Sequence, residues 1–162
     1  WCKEDPVHFD RFQSWSALFP YILTTDANVV PGYKFINPRA SVAPMAFGVC
    51  PNLQNPAGRN PHLHPGVAFL GSWYKNNHEE RKVDLALLLD ASAPFNLTIY
   101  SRLFNSPSNH FPERYRHYVL PALEYRDALV AYRQFRVLLN VNTVKTSPTM
   151  MSRRPFQILG CG

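Results

Sequence analysis

From residue 66 onward the chain alternates short apolar runs with longer stretches of helical spacing, and this alternation restricts the fold more than any other feature. "GVAFLGSW" (66–73) is an apolar run that breaks at Gly71, and "NHEERKVDLALLLDAS" (77–92) is amphipathic, with acids at the positive end of the helix it predicts. "FNLTIYSR" (95–102) reads as a strand, "PERYRHYV" as a short helix with Pro112 in its first turn, and "RDALVAYRQF" (126–135) as a helix. "VLPALEY" (119–125) sits where a strand is expected, and Pro121 confines such a strand to a sheet edge or a strand start. "RVLLNVN" (136–142) is a continuous apolar run suited to a buried parallel strand, and "SRRPFQILG" (152–160) a helix with Pro155 in its first turn. Strands alternating with helices at these spacings predict a doubly wound, Rossmann-like parallel α/β sheet.

The first third reads similarly but less regularly. "HFDRFQSWSALF" (8–19) has helical spacing, "YILTTD" (21–26) is a short apolar run ending in polar residues, and "SVAPMAFGV" (41–49) predicts a further strand. "CPNLQNPAGRNPHLHPG" (50–66) is rich in proline, without periodicity, and has the composition of a linker. The expected division is therefore residues 1–50 as the end of a first α/β half, 51–66 as linker and 67–162 as a second half.

Composition narrows the function classes. Hydrophobic residues make up 46% and charged residues 17%, which excludes a disordered chain. No apolar run approaches the ~20 residues of a membrane span. Without an initiating Met or a cleavable signal, the chain is expected to be a soluble piece of something longer. Cys2, Cys50 and Cys161 are far apart and lack metal-ligand spacing, which fits a cytoplasmic protein better than a disulfide scaffold. The net charge of +6 is spread thinly, so no nucleic-acid-binding arm is visible. His62 and His64 lack the further ligands of a zinc site, and no metal is expected.

Two strand ends matter for ligand binding, because doubly wound sheets bind ligands outside the carboxyl ends of their strands. One is Gly71-Ser72; it lacks the dinucleotide G-x-G-x-x-G pattern. The other is the segment 142–152, where Ser147, Thr149 and Ser152 offer hydroxyls ahead of Arg153 and Arg154. Two arginines at the positive end of a helix cost about 0.5 kcal/mol each unless an anion accompanies them. Their planar forks suit phosphate oxygens. Asp26, at the end of "YILTTD", is a candidate base, although the default role of such a residue is a helix N-cap before "ANVV".

In order along the chain, "WCKEDPVHF", "YILTTDA", "NPAGRNPH", "VAFLGSWYKNNHEER", "TIYSR", "FPERYRHYVLPALEY" and "YRQFRVLLNVNTVKTSPTMMSRRPFQILGCG" resemble the CgeB-like (spore maturation protein B-like) glycosyltransferases, of GT-B architecture. The resemblance runs over nearly the whole chain, with "NVNT" and "SPTMMSRR" its most specific segments. It implies two Rossmann-like halves, an acceptor half represented by its C-terminal part and a truncated donor half. It implies transfer of a sugar from a nucleotide-diphosphate-sugar donor to an unidentified acceptor, without a metal. The family continues beyond the point where this chain stops, so the fragment alone is expected to be inactive.

On this resemblance Gly71 and Ser72 match the turn that approaches the donor's phosphates. Ser147, Thr149, Met150, Ser152, Arg153 and Arg154 match the segment that would cradle the diphosphate, the two arginines stabilising the leaving group. Gln157 stands where the family usually has glutamate; it can accept a hydrogen bond but cannot act as a base. Related retaining enzymes carry two glutamates at the places of Thr149 and Gln157. That departure keeps open an inactive nucleotide-sugar-binding module, and a GT-B-shaped sugar-nucleotide epimerase is a further alternative.

Overall fold

A computed structural model of the chain describes residues 2–3, 9–74, 79–107 and 111–162, with side chains from residue 9 onward. It divides into two compact units: Trp1–Gly48 with Val144–Arg153, and Val49–Thr143 with Arg154–Gly162. Residues 77–78, the opening of the helix expected over 77–92, lie outside the described residues.

The smaller unit is a three-stranded parallel sheet in the order β1 (Cys2–Lys3), β2 (Tyr21–Thr24), β3 (Ser41–Pro44). The crossover from β1 to β2 is α1 (Phe9–Phe12) running into a 3-10 turn (Gln13–Leu18), and that from β2 to β3 contains α2 (Val30–Ile36). Ile22 and Thr24 alternate inward along β2, and Ile22 packs with Tyr33 of α2 and Ala40. Phe9 of α1 meets the Tyr33 ring edge-on at 4.9 Å. Asn37, just past α2, donates from its side-chain amide to the carbonyls of Ser16 and Phe19, each at 3.1 Å. These bonds fasten the end of one crossover to the end of the other, where backbone acceptors would otherwise lack partners.

The larger unit is a four-stranded, wholly parallel sheet in the order β6 (Val119–Pro121), β5 (Leu97–Ser101), β4 (His64–Leu70), β7 (Phe135–Leu138). α3 (Glu79–Ser92) joins β4 to β5, and α4 (Tyr125–Gln134) joins β6 to β7. α5 (Arg153–Cys161) is the last helix. Consecutive residues Gly66 to Phe69 are all buried, as expected of a central strand with both faces covered. One face carries Val67, Phe69, Leu97 and Ile99 against Leu85 and Leu89 of α3 and against Phe111 and Tyr115. The other carries Leu70 and Leu138 against Leu129 and Tyr132 of α4 and Ile158 and Cys161 of α5. The fold is thus mixed α/β and Rossmann-like, with a parallel sheet flanked by helices.

Two sequence expectations meet the sheet differently. β6 is an edge strand that stops at Pro121, which has no amide to offer a further neighbour. β7, expected as a buried strand over 136–142, is instead four residues long and forms the opposite edge, bonded among the described strands to β4 alone. Its apolar character does not translate into burial because the sheet ends there, leaving Arg136 and Val137 exposed.

Candidate anion-binding site

The strand order has a functional consequence. From β4 the chain steps to β5 and then β6 on one side, and returns through α4 to place β7 on the other. The reversal lies between β4 and β7, and the crevice outside the carboxyl ends of strands at such a reversal is the general ligand position of open α/β sheets. Gly71 and Ser72 follow β4, Asn140 follows β7, and Arg154 stands in the first turn of α5.

Gly71 makes this turn possible by packing. A Cβ there would come within 2.5 Å of the Phe69 ring, and the Gly71 amide donates to the Tyr100 carbonyl of β5 at 2.9 Å. Ser72 is 2% exposed, and its hydroxyl has no hydrogen-bond partner among the described residues. Arg154 lies with its guanidinium 5.3 Å from the centre of the Phe69 ring. It donates from Nη1 to Asn140 Oδ1 at 3.3 Å and hydrogen-bonds Tyr132 of α4, while its Nε is buried without a partner among the described residues. Buried polar atoms are nearly always satisfied, so two orphans at one strand-end crevice need an explanation.

A second arginine that sequence reasoning missed joins them. Arg81, on α3, is 5% exposed, and its Nη1 donates to the Ser72 carbonyl at 3.2 Å. Its guanidinium lies 5.1 Å from the Tyr74 ring centre, and Arg102, just after β5, donates to the Tyr74 hydroxyl at 3.0 Å. The signal was present in the spacing: Arg81, Leu85, Leu89 and Ser92 form the buried face of α3, so this arginine is in phase with apolar residues rather than with the solvent side.

The cluster is electrostatically unbalanced. Burial lowers the pKa of Arg81, and the Arg154 cation lowers it further. Burial likewise lowers the pKa of Arg154, opposed by Tyr132 and Tyr74 and reinforced by Arg102. Among the described residues none of these three arginines has an ion-paired carboxylate; the ion pairs present join Lys82 to Glu79, Arg114 to Asp90 and Arg116 to Glu113. Arg81 is buried and Arg154 half-buried, and a buried cation without a counter-ion costs on the order of several kcal/mol, whereas Arg102 is exposed. The donor set suits an anion, and among the described residues it holds no cluster of carboxylate, imidazole or thiolate ligands for a metal ion.

The other sequence candidates fall elsewhere. Arg153 does not join Arg154; it is exposed, with its guanidinium 5.4 Å from the Phe47 ring centre in the smaller unit. Ser147 donates to Asp26 Oδ1 at 2.6 Å and accepts from the Met150 amide at 2.9 Å. Thr149 donates to the Thr25 carbonyl and accepts from the Ala27 amide, both at 2.9 Å. Asp26 is 1% exposed and caps the 3-10 turn Ala27–Val29 by accepting from the Asn28 amide at 3.0 Å. The hydroxyl-rich turn and the candidate base therefore meet in the smaller unit, at the carboxyl end of β2. Ser152 lies half-buried just before α5, and Gln157 lies half-buried on α5.

No helix among the described residues is long and apolar enough to cross a membrane. Comparison with known proteins yields no matching family model, no matching curated protein and no matching solved structure.

Proposed function

We propose that the chain is the donor-binding portion of a glycosyltransferase, holding the phosphates of a nucleotide-diphosphate sugar at the β4–β7 crevice. The observation that carries this reading is the pair of orphaned buried atoms, Ser72 Oγ and Arg154 Nε, at the reversal of strand order. The similarity of "FLGSW" and "SPTMMSRR" to the CgeB-like enzymes supplies the donor class. When the anomeric bond breaks, negative charge gathers on the departing diphosphate. A guanidinium already held against Phe69, Asn140 and Tyr132 stabilises that charge without having to reorganise.

The second reading, a nucleotide-sugar-binding module without transfer, is favoured by the state of Asp26, whose carboxylate is committed to the Asn28 amide and the Ser147 hydroxyl. Calorimetric titration of the chain with nucleoside diphosphates tests what both readings share. Binding is expected, and Arg154→Gln should weaken it between about 10-fold and 100-fold, the worth of a charge-assisted hydrogen bond. Heatless titrations with every nucleoside diphosphate would sink both. Release of nucleoside diphosphate from a sugar donor, abolished by Arg154→Gln, would separate the enzyme from the module.

A further inference from the structure

The smaller unit exposes an apolar and basic surface at the amino-terminal end of its sheet, opposite the end that holds Asp26. Trp15 and Leu18 lie three residues apart in the 3-10 turn Gln13–Leu18, a spacing that puts both on one side of such a turn. Tyr21 opens β2, and Phe35 lies in the last turn of α2. Hydrogen bonds bring these segments together. Asn37, two residues beyond Phe35, donates to the carbonyls of Ser16 and Phe19 on either side of Leu18, and the Ser41 amide donates to the Pro20 carbonyl beside Tyr21 at 2.8 Å. Phe35 is 88% exposed, and Trp15, Leu18 and Tyr21 are each more than half exposed. Lys34 precedes Phe35 and Arg39 follows Asn37 by two residues, both exposed. Among the described residues of this unit the acids stand apart from that end: Asp10 is in the first turn of α1, and Asp26 is buried at the carboxyl end of β2.

A single exposed leucine needs no explanation, but large apolar side chains gathered with cations at one end of a unit do. Their chemistry selects the partner. Trp and Tyr rings favour the boundary between lipid and water, aliphatic and phenyl side chains reach the acyl chains, and Lys and Arg meet the phosphates of anionic headgroups. We propose that this end of the smaller unit is a peripheral membrane-contact surface for bilayers containing anionic phospholipid. Trp15, Leu18, Tyr21 and Phe35 enter the interface, and Lys34 and Arg39 hold the headgroups. The surface is built from strand starts and helix ends, not from a sheet edge. Strands added beside β1 or β3 would widen the sheet and leave this end open. The proposal does not depend on the phosphate-binding reading above, which concerns the larger unit.

The test is flotation of the chain with vesicles of phosphatidylcholine alone and with vesicles in which about a third of the lipid is phosphatidylglycerol. Wild type should partition onto the anionic vesicles at least about 10-fold more strongly than onto the neutral ones, and added salt should weaken that binding. Lys34→Gln and Arg39→Gln should each lower partition onto anionic vesicles about 5-fold while moving the neutral value less than about 2-fold. Leu18→Ser combined with Phe35→Ser should lower it at least about 10-fold with an unchanged melting point, since both side chains are exposed. Leu87→Ser, at an exposed leucine of α3 in the larger unit, should leave partition unchanged and so control for general stickiness. Doxyl-labelled lipid should quench the fluorescence of wild type, and Trp15→Phe, which keeps Trp1 and Trp73, should lose most of that quenching. No binding to anionic vesicles would overturn the proposal, as would equal binding to both kinds of vesicle. Binding that survives the Leu18 and Phe35 changes, or quenching that survives Trp15→Phe, would place the contact on another surface and overturn it too. Sedimentation showing Phe35-dependent self-association without vesicle binding would give this surface to a second copy of the chain instead.

Discussion

Two polar clusters occupy equivalent places, each at the carboxyl end of a parallel strand, and they differ in whether their hydrogen bonds are spent. At the end of β2, Asp26, Ser147 and Thr149 form a closed circuit in which Asp26 Oδ1 and both hydroxyls have named partners at 2.6–3.0 Å. At the end of β4, Ser72 Oγ and Arg154 Nε have none, and Arg81 and Arg154 are cations without carboxylates among the described residues. The first arrangement holds the chain: residues 144–153 follow the last strand of the larger unit yet belong to the smaller one because these hydroxyls peg them there. The second costs stability as it stands, and a ligand that completes it recovers that cost. On the proposed reading, unspent hydrogen-bonding capacity rather than hydroxyl content marks the phosphate site.

The largest expected effect tests what supports the open cluster. Phe69 is fully buried in the larger unit's core, and its ring also underlies Arg154 and limits Gly71. Phe69→Ala should destabilise the larger unit by about 3–5 kcal/mol, seen as an early thermal transition, and should weaken pyrophosphate binding in whatever remains folded. A loss below about 1 kcal/mol would contradict the packing. Asp26→Ala comes next. It removes a buried acceptor used by both the Asn28 amide and the Ser147 hydroxyl, and should cost about 2 kcal/mol. Hydrogen exchange at the Asn28 amide reports this locally, and protection equal to wild type would break the claim that the circuit is closed.

The difference between the clusters also explains what could be read from the chain alone. The alternation from residue 66 onward was legible because β4, α3, β5 and α4 each bury a face whose spacing survives in sequence. Pro121 announced an edge strand, since proline lacks the amide a further neighbour needs. β7 was misread as buried because apolar content says nothing of where a sheet ends. At the site, Ser72 and Arg154 were legible from their place after strands, but "SRR" could not reveal that Arg153 and Arg154 part company at the boundary between units. Nor could "SPTM" reveal its partners, since Asp26 and Ser147 are separated by 121 residues. Arg81 was overlooked because an arginine beside two glutamates at a helix start reads as a solvated face, although its phase with Leu85 and Leu89 says otherwise.

The two smallest effects make the sharpest contrast, because one serine is removed from each cluster. Ser147→Ala deletes a donor to Asp26 and an acceptor for the Met150 amide, and should lower the stability of the smaller unit by about 1 kcal/mol while leaving pyrophosphate affinity unchanged. Ser72→Ala deletes a buried hydroxyl that has no partner to lose. Removing an unsatisfied buried polar group relieves its desolvation cost, so the variant should be as stable as wild type or up to about 1 kcal/mol more so, with a melting point that does not fall. On the proposed reading the hydroxyl finds its hydrogen bond in the ligand, so pyrophosphate affinity should nevertheless drop about 3-fold to 10-fold. Thermal melts and titrations of the two variants side by side give opposite signs if one cluster is spent and the other open. A Ser72→Ala protein that melts lower and binds normally would show that the Ser72 hydroxyl serves the fold, and would remove the distinction between the two clusters.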